Sequence, residues 1–390
     1  MNGCPPHREK NHPMNRDKIL HFVKSDKKFL CRIINEYESV FPGRNLFLIR
    51  KGAQDVETKD VQPDHVFFYD PREEKDRKEI RNRAEECLFA IFHTYDFRMV
   101  DAFEIVSGRI PIVWCGFGYD FMQFSSALTT KTWLSLLRYS PIHGIKQRLL
   151  KSPVGRIKYR RFMKTVDQIH YFGCIVPGEY KKIKTGRDPE VKEFCYRAGH
   201  REGTALQRTT GDNVILAHSR ALECNHLEGI DLFRRYGRPD QKGIMFLNYG
   251  FLYKGFLDHT IEYGKKTLGD RFEYYTDFLS LDDYEEIVRS CSFAILPFLR
   301  QIGLGCINSL FLNGAKIFLY QNSLLYQYYT ANGFVVYSIE KDLASDSRFD
   351  RLSDADREIN RRKCLEFCGK EKSSGAIRTM YDYFSHAQQE

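Results

Sequence analysis

The chain has 390 residues, more than one typical domain, so two domains are expected. Its 42% apolar and 28% charged residues are those of a globular protein, and no apolar run reaches the roughly eighteen residues of a membrane span. A net charge of +9 asks for an acidic partner: phosphate, an anionic membrane or nucleic acid.

The chain opens on MNGCPPHREKNHPMNRDK, which is polar and lacks the apolar h-region of a signal peptide. Residues 1–16 read as a disordered leader. Apolar runs of strand length follow at KILHFV (18–23), NLFLIR (45–50), HVFFYD (65–70), CLFAIF (87–92) and IPIVWCGF (110–117). Helix-like segments lie between them at 27–40, 72–86 and 97–106. Continuous apolar strands alternating with helices predict a parallel sheet covered on both faces. The alternation breaks at 125–165, which reads as helical and basic, and a first Rossmann-like domain is expected over 17–184. Residues 185–212 are polar and read as a linker.

A second series follows over 213–352. Its strands are NVILAH (213–218), GIMFLNYG (243–250), RFEYYTDF (271–278), SFAILPF (292–298), KIFLYQ (316–321) and FVVYS (334–338), with helices expected at 225–237, 256–269, 281–291, 303–314 and 323–332. Residues 353–390 read as a charged helical segment. The eleven cysteines are an odd, scattered set without zinc-like spacing, which points to free thiols in a reducing cytoplasm. The fold class is therefore α/β: two doubly wound domains facing across a cleft at the carboxyl ends of their strands. Glycosyltransferases of the GT-B architecture are built this way, as are some phosphorylases, epimerases and periplasmic binding proteins, so fold alone does not select an activity.

The most informative segment is SFAILPFLRQIGLGCINSLFLNG, residues 292–314. It reads as a buried strand, an Arg300-Gln301 turn with Gly303 and Gly305, and a helix. Backbone N–H groups and the positive helix end gather at such a junction, and anions bind there. The plain alternative is a tight turn with one solvated Arg.

Three islands carry a resemblance. Arg300, Gln301, Leu304 and Gly305 match an Arg-Gln-x-x-[Leu/Ile]-Gly turn. In VILAHSRALECNHLEGI, Asn225-His226 opens a helix after the strand ending at His218-Ser219. Trp114-Cys115-Gly116-Phe117-Gly118-Tyr119-Asp120 matches a Trp-x-x-[Trp/Phe]-Gly-x-Asp segment. Over roughly 18–345 the chain resembles the bacterial 4-acetamido-4,6-dideoxygalactose (Fuc4NAc) transferase family, glycosyltransferase family 56. It departs from that family at Arg220-Ala221-Leu222-Glu223-Cys224, where a small polar turn is usual, and at Ile302, where a second Gln is common.

The resemblance implies transfer of a deoxyamino sugar from a dTDP-sugar to a polyprenyl-diphosphate-linked saccharide, in the synthesis of common antigen, O-antigen or capsule. No Asp-x-Asp stands at a strand end, and Asp282-Asp283 reads as helix capping. The expected reaction thus uses no metal and no cofactor, with the leaving diphosphate held by backbone N–H groups and basic side chains. Arg300, Gln301, Gly303 and Gly305 are assigned to the donor diphosphate, with His218 and Ser219 beside them. Asn225 and His226 are donor-side candidates whose alternatives are a helix cap and local packing. Tyr249 and Gly250, ending another strand, are candidates to line the nucleotide or sugar pocket, with a core or turn role as the alternative. The first domain is expected to hold the acceptor. Asp120 is the leading candidate for a general base and His93 the second. Their alternatives are a helix cap and a hydrogen-bonded core histidine, and Trp114 reads as core before sugar platform.

The segment 131–164 carries ten basic residues, Arg138, Lys146, Arg148, Arg160 and Arg161 among them, and no acidic one. Apolar residues are interspersed. This pattern suits the anionic inner face of a cell membrane, with a cytoplasmic, peripherally bound protein. A solvated helix face or a basic wall for the acceptor diphosphate are the alternatives. A nucleotide-sugar epimerase of the same fold and a basic nucleic-acid-binding protein are the rival readings. No nucleic-acid partner is expected, because no helix-turn-helix, zinc finger or RNP-type segment is present.

Overall fold

A computed structural model describes residues 16–23, 27–51, 65–118, 120, 127–142, 144–145, 153–182, 192–195, 208–250 and 254–387. Two parallel sheets organise them. The first contains β1 (Lys18–Val23), β2 (Asn45–Arg50), β3 (Val66–Tyr69), β4 (Cys87–His93), β5 (Ile112–Gly116), β6 (Tyr171–Cys174) and β7 (Lys192–Cys195), in the order β3-β2-β1-β4-β5-β6-β7. The second contains β8 (Val214–Ala217), β9 (Gly243–Phe246), β10 (Phe272–Tyr275), β11 (Phe293–Leu296), β12 (Lys316–Leu319) and β13 (Tyr337–Ser338), in the order β10-β9-β8-β11-β12-β13. Strand order reverses between β1 and β4 and again between β8 and β11. Ligands of such sheets bind beyond the carboxyl ends at these switch points.

The strands are apolar on both sides because helices cover both faces. On one face of the first sheet, Leu20, Phe22, Leu48, Phe92 and Trp114 pack under α2 (Glu74–Glu85), α3 (Val100–Val106) and α5 (Pro153–Val166). On the other, Ile19, Phe47, Ile91 and Val113 meet α1 (Lys27–Val40). The second sheet buries Ile215, Met245, Ile295 and Phe318 among α6 (His226–Tyr236), α7 (Lys254–Leu268), α8 (Leu281–Arg289), α9 (Leu304–Asn313) and α10 (Leu324–Ala331).

Three connections differ from the expected boundaries. Strand β7 lies inside the stretch expected as a linker and pairs with β6 as the edge of the first sheet. Helix α4 (Thr130–Tyr139) lies between β5 and β6 of the first sheet in sequence but packs on the second: Leu136 joins the second core, Lys131 pairs with Asp231, and Tyr139 stacks on His259 at 3.5 Å. The C-terminal segment divides between the domains. Helix α11 (Asp354–Cys368) packs on α9, with Arg361 Nε donating to the Leu312 carbonyl at 3.1 Å. Helix α12 (Lys370–His386) returns to the first sheet, where Phe384 stacks on Phe89 at 4.4 Å and Arg44 donates to Tyr381 Oη at 2.9 Å.

That return helix is a stability determinant of a domain it does not adjoin in sequence. Phe384 is buried in the first core. Phe384→Ala is expected to cost about 3 kcal/mol, the usual loss for a buried Phe. Urea unfolding followed by intrinsic fluorescence reads it, and a loss under about 1 kcal/mol would mean that α12 does not dock.

Candidate active site

The site is built at the carboxyl ends of β8 and β11 and closed by loops of the first domain. After β11 the chain turns through Arg300 and Gln301, and Gly303, at φ +72°, stands just before α9. A Cβ built on Gly303 would lie 2.8 Å from His218 Nδ1, so only glycine lets the turn close onto that ring. The histidine is held edge-on against Phe298, with ring centres 5.5 Å apart. The expected neighbours His218, Arg300, Gln301 and Gly303 are thus brought together. Gly305 differs from Gly303: a Cβ there would meet nothing within 4 Å, so the first turn of α9 stays open.

Arg300 is buried. Its Nη1 donates to the Gln301 carbonyl at 2.6 Å, its Nη2 stands 3.8 Å from Glu223 Oε2, and its Nε has no partner among the described residues. Gln301 Oε1 and Glu223 Oε1 are also buried without partners among the described residues. Unpaired buried polar atoms are costly and uncommon, and here they share one small region between the domains. Glu223 and the neighbouring Arg220, whose Nε is likewise unpaired, were not singled out in the sequence. The only sequence signal was their place in the departure Arg220–Cys224.

The rest of the 218–226 loop is support. Ser219 Oγ accepts from Ala221 N at 3.3 Å and is buried. His226 Nε2 donates to the Ser219 carbonyl at 2.7 Å, and burial holds its pKa at about 4, so the ring is neutral. Asn225 sits at φ 49° without capping α6. Its Oδ1 accepts from Thr129 N at 2.8 Å, and its Nδ2 donates to the carbonyls of Pro297 at 2.8 Å and Ala127 at 3.2 Å. Asn225 therefore ties the segment that leads into α4 to the second domain, and its side chain does not cap α6. Tyr249 and Gly250 close the same loop: Arg220 N donates to the Tyr249 carbonyl at 2.7 Å, and Gly250 at φ +106° passes beside Ser219.

On the first domain, Trp114 lies wholly in the core, with Tyr95 edge-on at 5.6 Å. Its Nε1 donates to Asp120 Oδ2 at 2.7 Å, and Phe117 N and Tyr95 N donate to the same carboxyl at 3.1 and 3.3 Å. With three donors already on its carboxyl, Asp120 is arranged as a loop anchor. The anchored loop delivers Gly118, at φ +93°, onto the other domain: a Cβ there would lie 2.9 Å from both the Arg300 guanidinium and the Gln301 carbonyl, and 3.5 Å from Glu179 Oε1. His93 ends β4 and is buried, with its Nε2 3.0 Å from His21 Nδ1.

The basic candidates stand elsewhere. Arg161 is taken by Glu104 and by Asp101 at 2.8 Å, so its charge is answered within the first domain. Arg138 and Arg160 are exposed, and Lys146 and Arg148 lie outside the described residues. Among the described residues, no group of three or more His, Cys, Asp or Glu could hold a metal ion, and no helix is long and apolar enough to cross a membrane.

No protein-family model matches the chain, and no curated protein matches it. Solved structures do. HepE from Anabaena, in complex with UDP and glucose, matches at a TM-score of 0.61 and 11% identity, over 94% of this chain and 99% of that one. Sucrose-phosphate synthase from Thermosynechococcus elongatus matches at 0.61 and 9%, over 95% and 100%. A glycosyltransferase from Rickettsia africae matches at 0.58 and 8%, over 95% and 99%. With identities this low the likeness is one of fold, and that fold is GT-B: two Rossmann-like domains facing across a cleft.

Proposed function

We propose that this protein is a glycosyltransferase that takes a sugar from a nucleoside-diphosphate sugar. The observation that carries the reading is the Arg300–Gly303 turn closed on His218 at the start of α9, with an unpaired Arg300 Nε and an open first turn beside it. A leaving diphosphate needs such N–H groups and a guanidinium aimed at it. HepE, of the same fold, is described with UDP and glucose. The three matching islands favour a dTDP-linked, Fuc4NAc-like donor of the family 56 type and a polyprenyl-diphosphate-linked saccharide as acceptor. A thermal-shift panel of dTDP, UDP, GDP and CMP, run with and without a chelator, tests this. Selective stabilisation by dTDP that survives the chelator is expected; no response to any nucleotide would sink the reading.

Gly305→Ala separates donor binding from folding. Alanine is the better helix former by up to about 1 kcal/mol, and the protein leaves room for its methyl. The variant is expected to be at least as stable as the parent and to bind dTDP roughly tenfold more weakly, a cost of about 1.4 kcal/mol. Undiminished dTDP affinity would place the diphosphate away from this turn.

The acceptor's lipid calls for a membrane surface. Leu134, Ile142 and Ile145 are exposed, with Arg138 between them, in the segment that has no acidic residue. Each basic residue near an anionic leaflet contributes about 1 kcal/mol. We infer peripheral binding at the inner face of the cell membrane. The chain should co-sediment with phosphatidylglycerol vesicles at low salt and be released at high salt; indifference to such vesicles counts against it.

A further inference from the structure

A buried polar line crosses the first sheet beneath α1 and ends at His93. It begins at the amino end of β2. Asn45 Nδ2 donates to Glu38 Oε1 at 3.0 Å and to the Phe41 carbonyl at 2.8 Å. Both acceptors are oxygens, so a flipped amide would set oxygen against oxygen. Asn45 Oδ1 must then be the atom that faces His21 Nε2, at 3.1 Å. His21 Nδ1 in turn stands 3.0 Å from His93 Nε2. Asn45, His21 and His93 are all buried, and the two rings are stacked with centres 5.3 Å apart.

Proton positions follow without choice. Asn45 Oδ1 can only accept, so His21 Nε2 carries a proton. Burial holds His21 neutral, with its pKa lowered to about 3, so its Nδ1 is bare. The contact between the rings needs one proton, which must sit on His93 Nε2. Burial also lowers the His93 pKa well below the ordinary value, so that ring is neutral and its Nδ1 is bare too. That Nδ1 is a buried acceptor with no partner among the described residues. It stands at the carboxyl end of β4, beside the switch point. The next residue, Thr94, is at φ 74°, and its Oγ1 is also buried and unpaired. Left-handed backbone at a non-glycine residue is strained and collects at functional sites.

We propose that His21 and Asn45 are positioning residues: they lock His93 as its Nε2–H tautomer, so that its bare Nδ1 accepts a hydrogen bond from a hydroxyl of the acceptor saccharide. The substrate's identity rests on the glycosyltransferase reading; the tautomer does not. An acceptor-only nitrogen takes O–H or N–H and rejects a carbonyl or phosphate oxygen. The proposal keeps His93 in the site for a reason its sequence position did not supply, and it makes a residue at the opposite end of the sheet part of that role.

The test has two arms. In the full chain labelled with ¹⁵N-histidine and without ligand, long-range ¹H–¹⁵N spectra, assigned by loss of signals in His21→Gln and His93→Gln, should show both rings neutral and protonated at Nε2. A proton on His93 Nδ1 overturns the proposal. The second arm uses the two amide mimics of histidine. His93→Gln keeps a donor toward His21 but loses the Nδ1 acceptor; His93→Asn keeps a group at Nδ1 but loses the contact with His21. With a dTDP-sugar and a polyprenyl-diphosphate-linked saccharide, His93→Gln should lose roughly 10- to 100-fold in kcat/KM for the acceptor, with dTDP stabilisation unchanged. Asn45→Ala should give a mixed His93 tautomer and a smaller loss. Full activity in His93→Gln, with loss in His93→Asn, would mean that His93 serves only to hold His21, and would overturn the proposal. If the parent chain neither transfers sugar nor binds dTDP, the glycosyltransferase reading fails, and the spectra still decide the tautomer.

Discussion

Arg300→Ala is expected to abolish the thermal stabilisation given by dTDP. Its guanidinium is buried between the domains, yet among the described residues only Nη1 has a close partner, its neighbour's carbonyl at 2.6 Å. Glu223, at 3.8 Å, is too far for a hydrogen bond and holds the charge only loosely. Under the proposed function, an incoming diphosphate oxygen would meet a cation already stripped of water and still in need of acceptors. Removing one partner of such a buried charged hydrogen bond costs about 2–5 kcal/mol, or roughly 30- to several thousandfold in affinity. Arg300→Lys keeps the charge but loses the fork, and should fall between. The variant also leaves the Glu223 carboxylate without its cation, so its unfolding midpoint must be measured beside its dTDP response. An Arg300→Ala chain that is folded and still stabilised by dTDP as the parent is would remove this residue from the diphosphate site.

Gly303→Ala should damage both fold and site. At φ +72° an alanine is strained by roughly 1–2 kcal/mol. Its Cβ would also fall 2.8, 2.9 and 3.0 Å from three atoms of the His218 ring. That ring cannot simply swing aside, because Phe298 lies edge-on against it. Overpacking of this kind adds about 1–3 kcal/mol. A total loss of roughly 2–5 kcal/mol is expected in urea unfolding, together with loss of dTDP binding. Gly305→Ala, two residues on, should show the reverse balance of stability and binding. Equal behaviour of the two variants would mean that the turn is not built as described.

The sheets were legible because their strands are continuous apolar runs. β1, β2, β3, β5 and β8 to β13 fall within their expected segments, and β4 runs one residue beyond its own, to His93. Strands β6 and β7 were not legible. Each has four residues, YFGC and KEFC, too short and too mixed to stand out beside a long basic helix and a polar stretch. The crossing of α4 and α12 to the other domain was hidden for a different reason. An amphipathic helix shows which of its faces is buried, but not which sheet buries it.

The candidate site divides along the same line. The Arg300–Gly305 turn was visible because strand, glycine spacing and helix are local properties of a few consecutive residues. So was the Trp114–Asp120 segment, although its work proved different: Trp114 holds Asp120, and Asp120 holds the loop that sets Gly118 on Arg300. Asn225 likewise changed from donor candidate to domain tie. By itself the sequence determined the α/β alternation, its two successive series of strands and the glycine turn before α9, because these depend on short-range periodicity and backbone freedom. Only the tertiary structure decided which groups face that turn and which are consumed in holding it, because hydrogen-bond partners of buried polar groups come from strand ends that lie far apart in the chain.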